Sequence, residues 1–263
     1  MSAIPPGSGP RPLPATRRTG RAALVGAACA ALAVALTGCG GEADPDAGTN
    51  GMGKLPAAKV EAKARAAAQR AETVHLSGNV VSQGRTYKLD MSLAKDGAKG
   101  ELTTKAAAFQ LLRVGESLYL KADAAFWAGE KGGRSGTPDQ AAARKLGGKY
   151  VKVPAKDPVY KRFSGFTDKD TLLAGLLGLH GKLTSGDRGD LDGVRTIRLT
   201  AGAGSGGTLD VSLEGTPYPL RLHRAGGAGV VRMGDWGKSV DLKAPDKDQV
   251  VDYGTRISGG SGS

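Results

Sequence analysis

From Glu72 onward, apolar and polar residues alternate with a period of two in one short segment after another, a pattern that suits a β-sheet with one dry face and one wet face. In TYKLDMSLA (86–94), Tyr87, Leu89, Met91 and Leu93 fall on one side, and Lys88, Asp90 and Ser92 on the other. SLYLKA, VRTIRLTA, GTLDVSLEG, PLRLHR and KSVDLKA repeat the scheme. Adding VHLSGNV, KGELTT, FQLLRV, KYVKV and GVVRM gives about eleven short strands separated by turn residues, most of them antiparallel to their sequence neighbours. A single sheet of that size must cover its dry face with helices or close on itself, so the expected class is α+β, a curved antiparallel sheet.

Helical patterns accompany the strands. KLPAAKVEAKARAAAQRAE (54–72) consists of strong helix formers with Pro56 suited to the first turn and a small-residue stripe at Ala57, Val60, Ala64, Ala67 and Ala71. The segment 124–166 interrupts the strands; it includes the helical patch PDQAAARKLGG and holds six of the twelve aromatic residues. TDKDTLLAGLLGLHGK (167–182) follows, with Thr167 and Asp170 in a capping arrangement. Leu172, Leu176 and Leu179 form one row and Leu173 and Leu177 lie beside it, a stripe wide enough to require burial or a ligand. Gly175 and Gly178 weaken this helix, each by ~1 kcal/mol relative to alanine, which fits either a moving lid or a closely packed core helix.

The first residues set the compartment. Arg17, Arg18 and Arg21 precede a fifteen-residue apolar run, Ala22 to Leu36. That is shorter than the ~20 residues a membrane span needs and has the proportions of a secretory signal peptide. Leu36, Thr37, Gly38 and Cys39 resemble the lipobox of bacterial lipoproteins, which implies cleavage after residue 38 and a lipid on Cys39. Cys29 lies inside the removable segment, so Cys39 is a solitary exported thiol for which lipidation gives a use. General secretion is expected over the twin-arginine route, because Thr19 and Gly20 follow the arginine pair. The domain reading is a signal peptide over 1–38, a lipidated cysteine and flexible tether over 39–53, a folded domain over 54–254 and a disordered tail over 255–263.

Removing four arginines lowers the formal charge from +12 to +8. Outside the membrane this basic surface points to anionic headgroups or wall polymers, or to simple solvation, and not to nucleic acid. Catalytic signatures are missing. His75, His180 and His223 are far apart in sequence, no HExxH or GxSxG occurs, and GAGSGG (202–207) lies between two strands where no helix N-terminus can cradle a phosphate. GKS (237–239) lacks the earlier glycine of a P-loop. The sequence therefore gives no enzyme, no metal site and no cofactor.

VGESLYLKADAAFW, GGKYVKVP and WGKSVDLKAPDKDQVVDY resemble patterns of the LppX/LprG group of actinobacterial lipoproteins and, more distantly, the LolA-like half-barrel, over roughly 55–253. The resemblance implies a half-barrel whose concave face, capped by helices, encloses acyl chains such as palmitate. On that reading the protein is a monomer on the extracytoplasmic face of the cell membrane that binds or transfers lipid. Leu172, Leu173, Leu176 and Leu177 would form a movable wall, with Phe126, Trp127, Phe163 and Phe166 near the mouth. The alternative is a cell-envelope interaction or sensory module with the same sheet and a filled core.

Overall fold

Tyr87, Leu89, Met91 and Leu93 do share one buried face of a strand, β2 (Arg85–Ala94), while Lys88 and Asp90 are exposed on the other. The computed structural model describes residues 44–82, 84–124, 126–127 and 144–252, and the architecture is that of the unit Ala43–Ser263. The signal peptide and lipobox, Cys39, the part of PDQAAARKLGG before residue 144 and the tail 255–263 lie outside the described residues.

The described residues form one open, curved sheet of twelve strands with helices on its concave face, an α+β fold. β1 (Thr73–Ser82), β2, β3 (Gly97–Thr103), β4 (Ala108–Val114), β5 (Ser117–Ala122) and β6 (Tyr150–Val153) pair in sequence order. The second half, β7 (Leu183–Leu191), β8 (Val194–Ala201), β9 (Thr208–Ser212), β10 (Pro219–His223) and β11 (Val230–Gly234), does the same and joins the first through β1 and β11. β12 (Val250–Asp252) adds to β6 as the single parallel pair among the described residues. The β1–β11 seam depends on two glycines: a Cβ on Gly78 (φ 138°) would stand 2.1 Å from the Val230 carbonyl oxygen, and one on Gly229 (φ 124°) 2.0 Å from that of Asn79.

Register turns the alternation into continuous rows. On the dry face Leu199, Leu209, Leu222, Val231, Gly78, Leu89, Leu102 and Phe109 stand opposite one another from β8 to β4. The neighbouring wet row runs Arg198, Asp210, Arg221, Arg232, Ser77, Asp90, Glu101 and Gln110. Asp210 is buried in that wet row beneath Arg198 and Arg221, whose Nε atoms donate to it at 2.8 and 2.7 Å.

Three of the described helices lie on the dry-face side of the sheet. α1 (Ala57–Arg70) buries Ala57, Val60, Ala64, Ala67 and Ala68, small side chains that let it lie close over β7 and β10. α2 (Pro158–Thr167) packs on β3 and β4, and α3 (Lys169–Leu176) packs against α1 and α2.

Two features differ from the sequence expectation. KSVDLKA is not a strand: between β11 and β12 it crosses the wet face, with Val240 and Leu242 half-buried and Asp241 and Lys243 exposed, so its alternation reflects packing on a sheet and not pairing within one. The tether expected over 39–53 is, in its described part, held down. The Arg188 guanidinium grips the Asp46 carboxylate through Nε at 2.8 Å and Nη2 at 2.5 Å, Arg195 donates to the Ala47 and Gly48 carbonyls, and the Asn50 amide bonds the Ser212 and Gly215 carbonyls. These partners are more than 130 residues away in sequence, so no local composition reveals them.

Candidate functional site: a cleft between two helices and the end of a strand

Capping chemistry sets the α2–α3 corner. Asp157 precedes α2 and its Oδ1 accepts from the Val159 N–H at 2.8 Å, with Pro158 at the first helical position. Asp168 serves both helices: its N–H closes α2 on the Ser164 carbonyl at 3.1 Å, and its Oδ1 accepts from the Thr171 N–H at 2.8 Å to cap α3. The N-cap of α3 is thus Asp168, while Thr167 ends α2 with its hydroxyl donating to the Ser164 carbonyl. α3 stops at Leu176, short of Gly178 and Leu179.

Two cations fasten this corner to the rest of the fold. Arg113 on β4 donates from Nε to the Thr167 carbonyl at 3.0 Å and places Nη2 3.8 Å from the Asp168 carboxylate. Lys169, 1% exposed, donates to the Gln69 carbonyl at the end of α1 at 3.2 Å and to Asp170 at 2.5 Å, an ammonium placed at the negative end of α1.

The Thr171 hydrogen bonds, followed by the charge of Arg113, hold the Asp168 carboxyl below its ordinary value of 3.8. A lowered carboxylate pKa contributes stability that is present above 3.8 and is lost as pH falls through the folded-state value. Asp168→Ala is therefore expected to cost ~1 kcal/mol in urea unfolding at neutral pH. Asp168→Asn, which retains a capping oxygen, should cost less. The wild-type advantage should shrink in acid, with faster hydrogen exchange at the Thr171 amide.

Beside this corner a cleft of about 280 Å³ opens between α2, α3 and the end of β1. Its apolar wall includes Phe166, Leu172, Leu176, Val80 and Val81. Gly165 and Gly175 also line it, and a Cβ on either would meet nothing within 4 Å, so the helices leave space there. Lys161, Arg162 and Arg224 stand at the rim; Arg224 is steadied by donating to the Val81 carbonyl at 2.9 Å. Val81 is also one of two large apolar residues that are clearly exposed among those described, at 37%.

Of the eight residues expected to meet a ligand, the structure gathers Phe166, Leu172 and Leu176 at this cleft. Leu173 and Leu177 are 1% and 2% exposed and belong to the packed core. Phe126, Trp127 and Phe163 form a separate aromatic group around Phe109, with ring centroids 4.8 Å apart for Phe109–Phe163, 5.3 Å for Phe109–Phe126 and 5.1 Å for Phe126–Trp127. Phe166 contacts Tyr87 instead, at 5.2 Å. Sequence reasoning missed Val80, Val81 and Arg224. The adjacent valines carried a signal, since two apolar residues in succession break the alternation at the end of β1. Arg224 carried none.

Elsewhere, His75 lies 3.2 Å from the Ser92 hydroxyl and 3.5 Å from the Asp90 carboxylate on the wet face. Asp90 is 68% exposed, unlike the buried carboxylate that orients a catalytic imidazole. Among the described residues no helix is long and apolar enough to cross a membrane, and no three His, Cys, Asp or Glu side chains converge as a metal set.

The chain is similar to two solved mycobacterial structures. LprF from Mycobacterium bovis matches with a TM-score of 0.48 and 17% identity, over 72% of this chain and 96% of that one. The lipoprotein LppX from Mycobacterium tuberculosis matches with a TM-score of 0.42 and 15% identity, over 71% and 99%. The structural likeness includes the LppX/LprG group that the sequence resembles. No family model matches the chain, and no curated protein matches it.

Proposed function

We propose that this chain is an extracytoplasmic lipoprotein, held to the cell membrane through a lipid on Cys39, that binds an acyl chain in the cleft between α2, α3 and β1. The observation that carries the reading is a cleft with one apolar wall, Phe166, Leu172, Leu176, Val80 and Val81, left open by two helical glycines and flanked by Lys161, Arg162 and Arg224. Each CH₂ of an acyl chain that leaves water for the apolar wall contributes ~0.8 kcal/mol, so the part of the chain lying on that wall needs no specific polar contact to be retained. The rim cations suit an anionic headgroup, at ~1 kcal/mol each near a charged surface.

The dense packing of Leu173, Leu177 and Phe163 favours a second reading, an envelope interaction module with a filled core. Organic extraction of the purified chain followed by mass spectrometry separates the two. Carriage predicts a stoichiometric lipid in the extract or saturable uptake of a fluorescent fatty acid, and failure of both supports the module.

A further inference from the structure

The wet face holds a larger recess than the acyl cleft, about 700 Å³, bounded by β2 to β4 and by the crossing segment 235–249. That segment is fixed along its course. Trp236 stacks on Tyr218 at 4.7 Å, the Lys238 carbonyl accepts from the Thr73 hydroxyl at 2.7 Å, Leu242 lies against Gly97, and Lys149 donates to the Asp248 carbonyl at 2.9 Å. The result is a groove with the sheet as its floor and the segment as one wall.

Charge in the groove is balanced. Lys88, Lys99 and Lys243 line it together with Asp90, Glu101 and Asp241. The exposed side chains of Lys88, Lys99, Gln110, Asp241 and Lys243 are without a hydrogen bond or ion pair among the described residues, while Asp90 faces His75 at 3.5 Å and Glu101 accepts from the Thr103 hydroxyl at 3.1 Å. Donors and acceptors are therefore presented around an open space, with Tyr150 at one side, its ring carrying the Lys121 ammonium at 5.2 Å over one face. The three carboxylates oppose a polyanion and the three lysines oppose a polycation. A neutral ligand rich in hydroxyl groups can donate to the carboxylates and accept from the ammonium and amide groups at once.

We infer that this groove binds a neutral oligosaccharide, on the opposite face of the sheet from the acyl cleft and independently of it. The test is isothermal titration of the full-length chain, in a detergent without a sugar headgroup, with maltohexaose, mannohexaose and cellohexaose. At least one should give a saturable heat with a Kd of roughly 1 mM, as a handful of net hydrogen bonds provides. The double variant Gln110→Ala/Asp241→Ala should weaken it about tenfold, whereas Lys105→Ala, in a turn outside the groove, should not change it. The proposal is overturned if none of the three hexasaccharides binds at ten times that concentration, if the double variant binds as tightly as wild type, or if inorganic polyphosphate binds there in their place.

Discussion

Replacing Phe163 with alanine is expected to lower folding stability by roughly 3–5 kcal/mol, the largest loss anticipated for a single substitution in this fold. Phe163 sits in the middle of α2, is 2% exposed, meets Phe109 of β4 at 4.8 Å and has the Arg162 guanidinium over its ring at 5.6 Å. Its removal takes away the transfer energy of the ring and leaves a void that Phe109 and its neighbours fill only in part. Urea unfolding at neutral pH measures the effect. A loss under ~1 kcal/mol would mean that the layer between α2 and the sheet is not close-packed at this point.

Plugging the cleft is expected to abolish acyl binding while leaving the fold intact. Gly175 is the penultimate residue of α3, and both it and Gly165 face space where a Cβ meets nothing. Gly175→Ala adds one methyl group, leaves most of the 280 Å³ free and removes some of the glycine penalty, so stability should rise by about 0.5 kcal/mol with binding retained. Gly175→Trp should instead fill the cleft. Fluorescent fatty acid affinity is then expected to fall at least tenfold, about what excluding two methylenes from the cleft would cost at ~0.8 kcal/mol each, with little change in the urea midpoint. Unchanged affinity in a folded Gly175→Trp variant would place the ligand elsewhere.

Much of the sheet was legible in the sequence because burial on one face writes a period of two into each strand. Where that cause fails, so does the signal. β7 (Leu183–Leu191) is an edge strand exposed along almost its whole length, so LTSGDRGDL shows no alternation, and β12 has three residues, too few to establish a period. KSVDLKA shows the reverse case, since lying on the wet face imposes the same period without a hydrogen-bonded ladder. The apolar stripe of α3 was equally legible, but not its division of labour: Leu173 faces the core while Leu172, one residue earlier, lines the cleft. That difference arises from the direction in which α3 leaves the Asp168 corner, which Arg113 and Lys169 fix through partners on β4 and α1. Pairings over such sequence distances leave no local mark.

The most direct measurement is photo-crosslinking with a diazirine-bearing palmitate, followed by peptide mapping. The account predicts saturable labelling confined to peptides that carry Val80 to Ser82 and Phe166 to Leu176, competed by unlabelled palmitate and lost in Gly175→Trp. Labelling that spreads over the surface, that falls on the wet-face groove, or that persists in the plugged variant would contradict it.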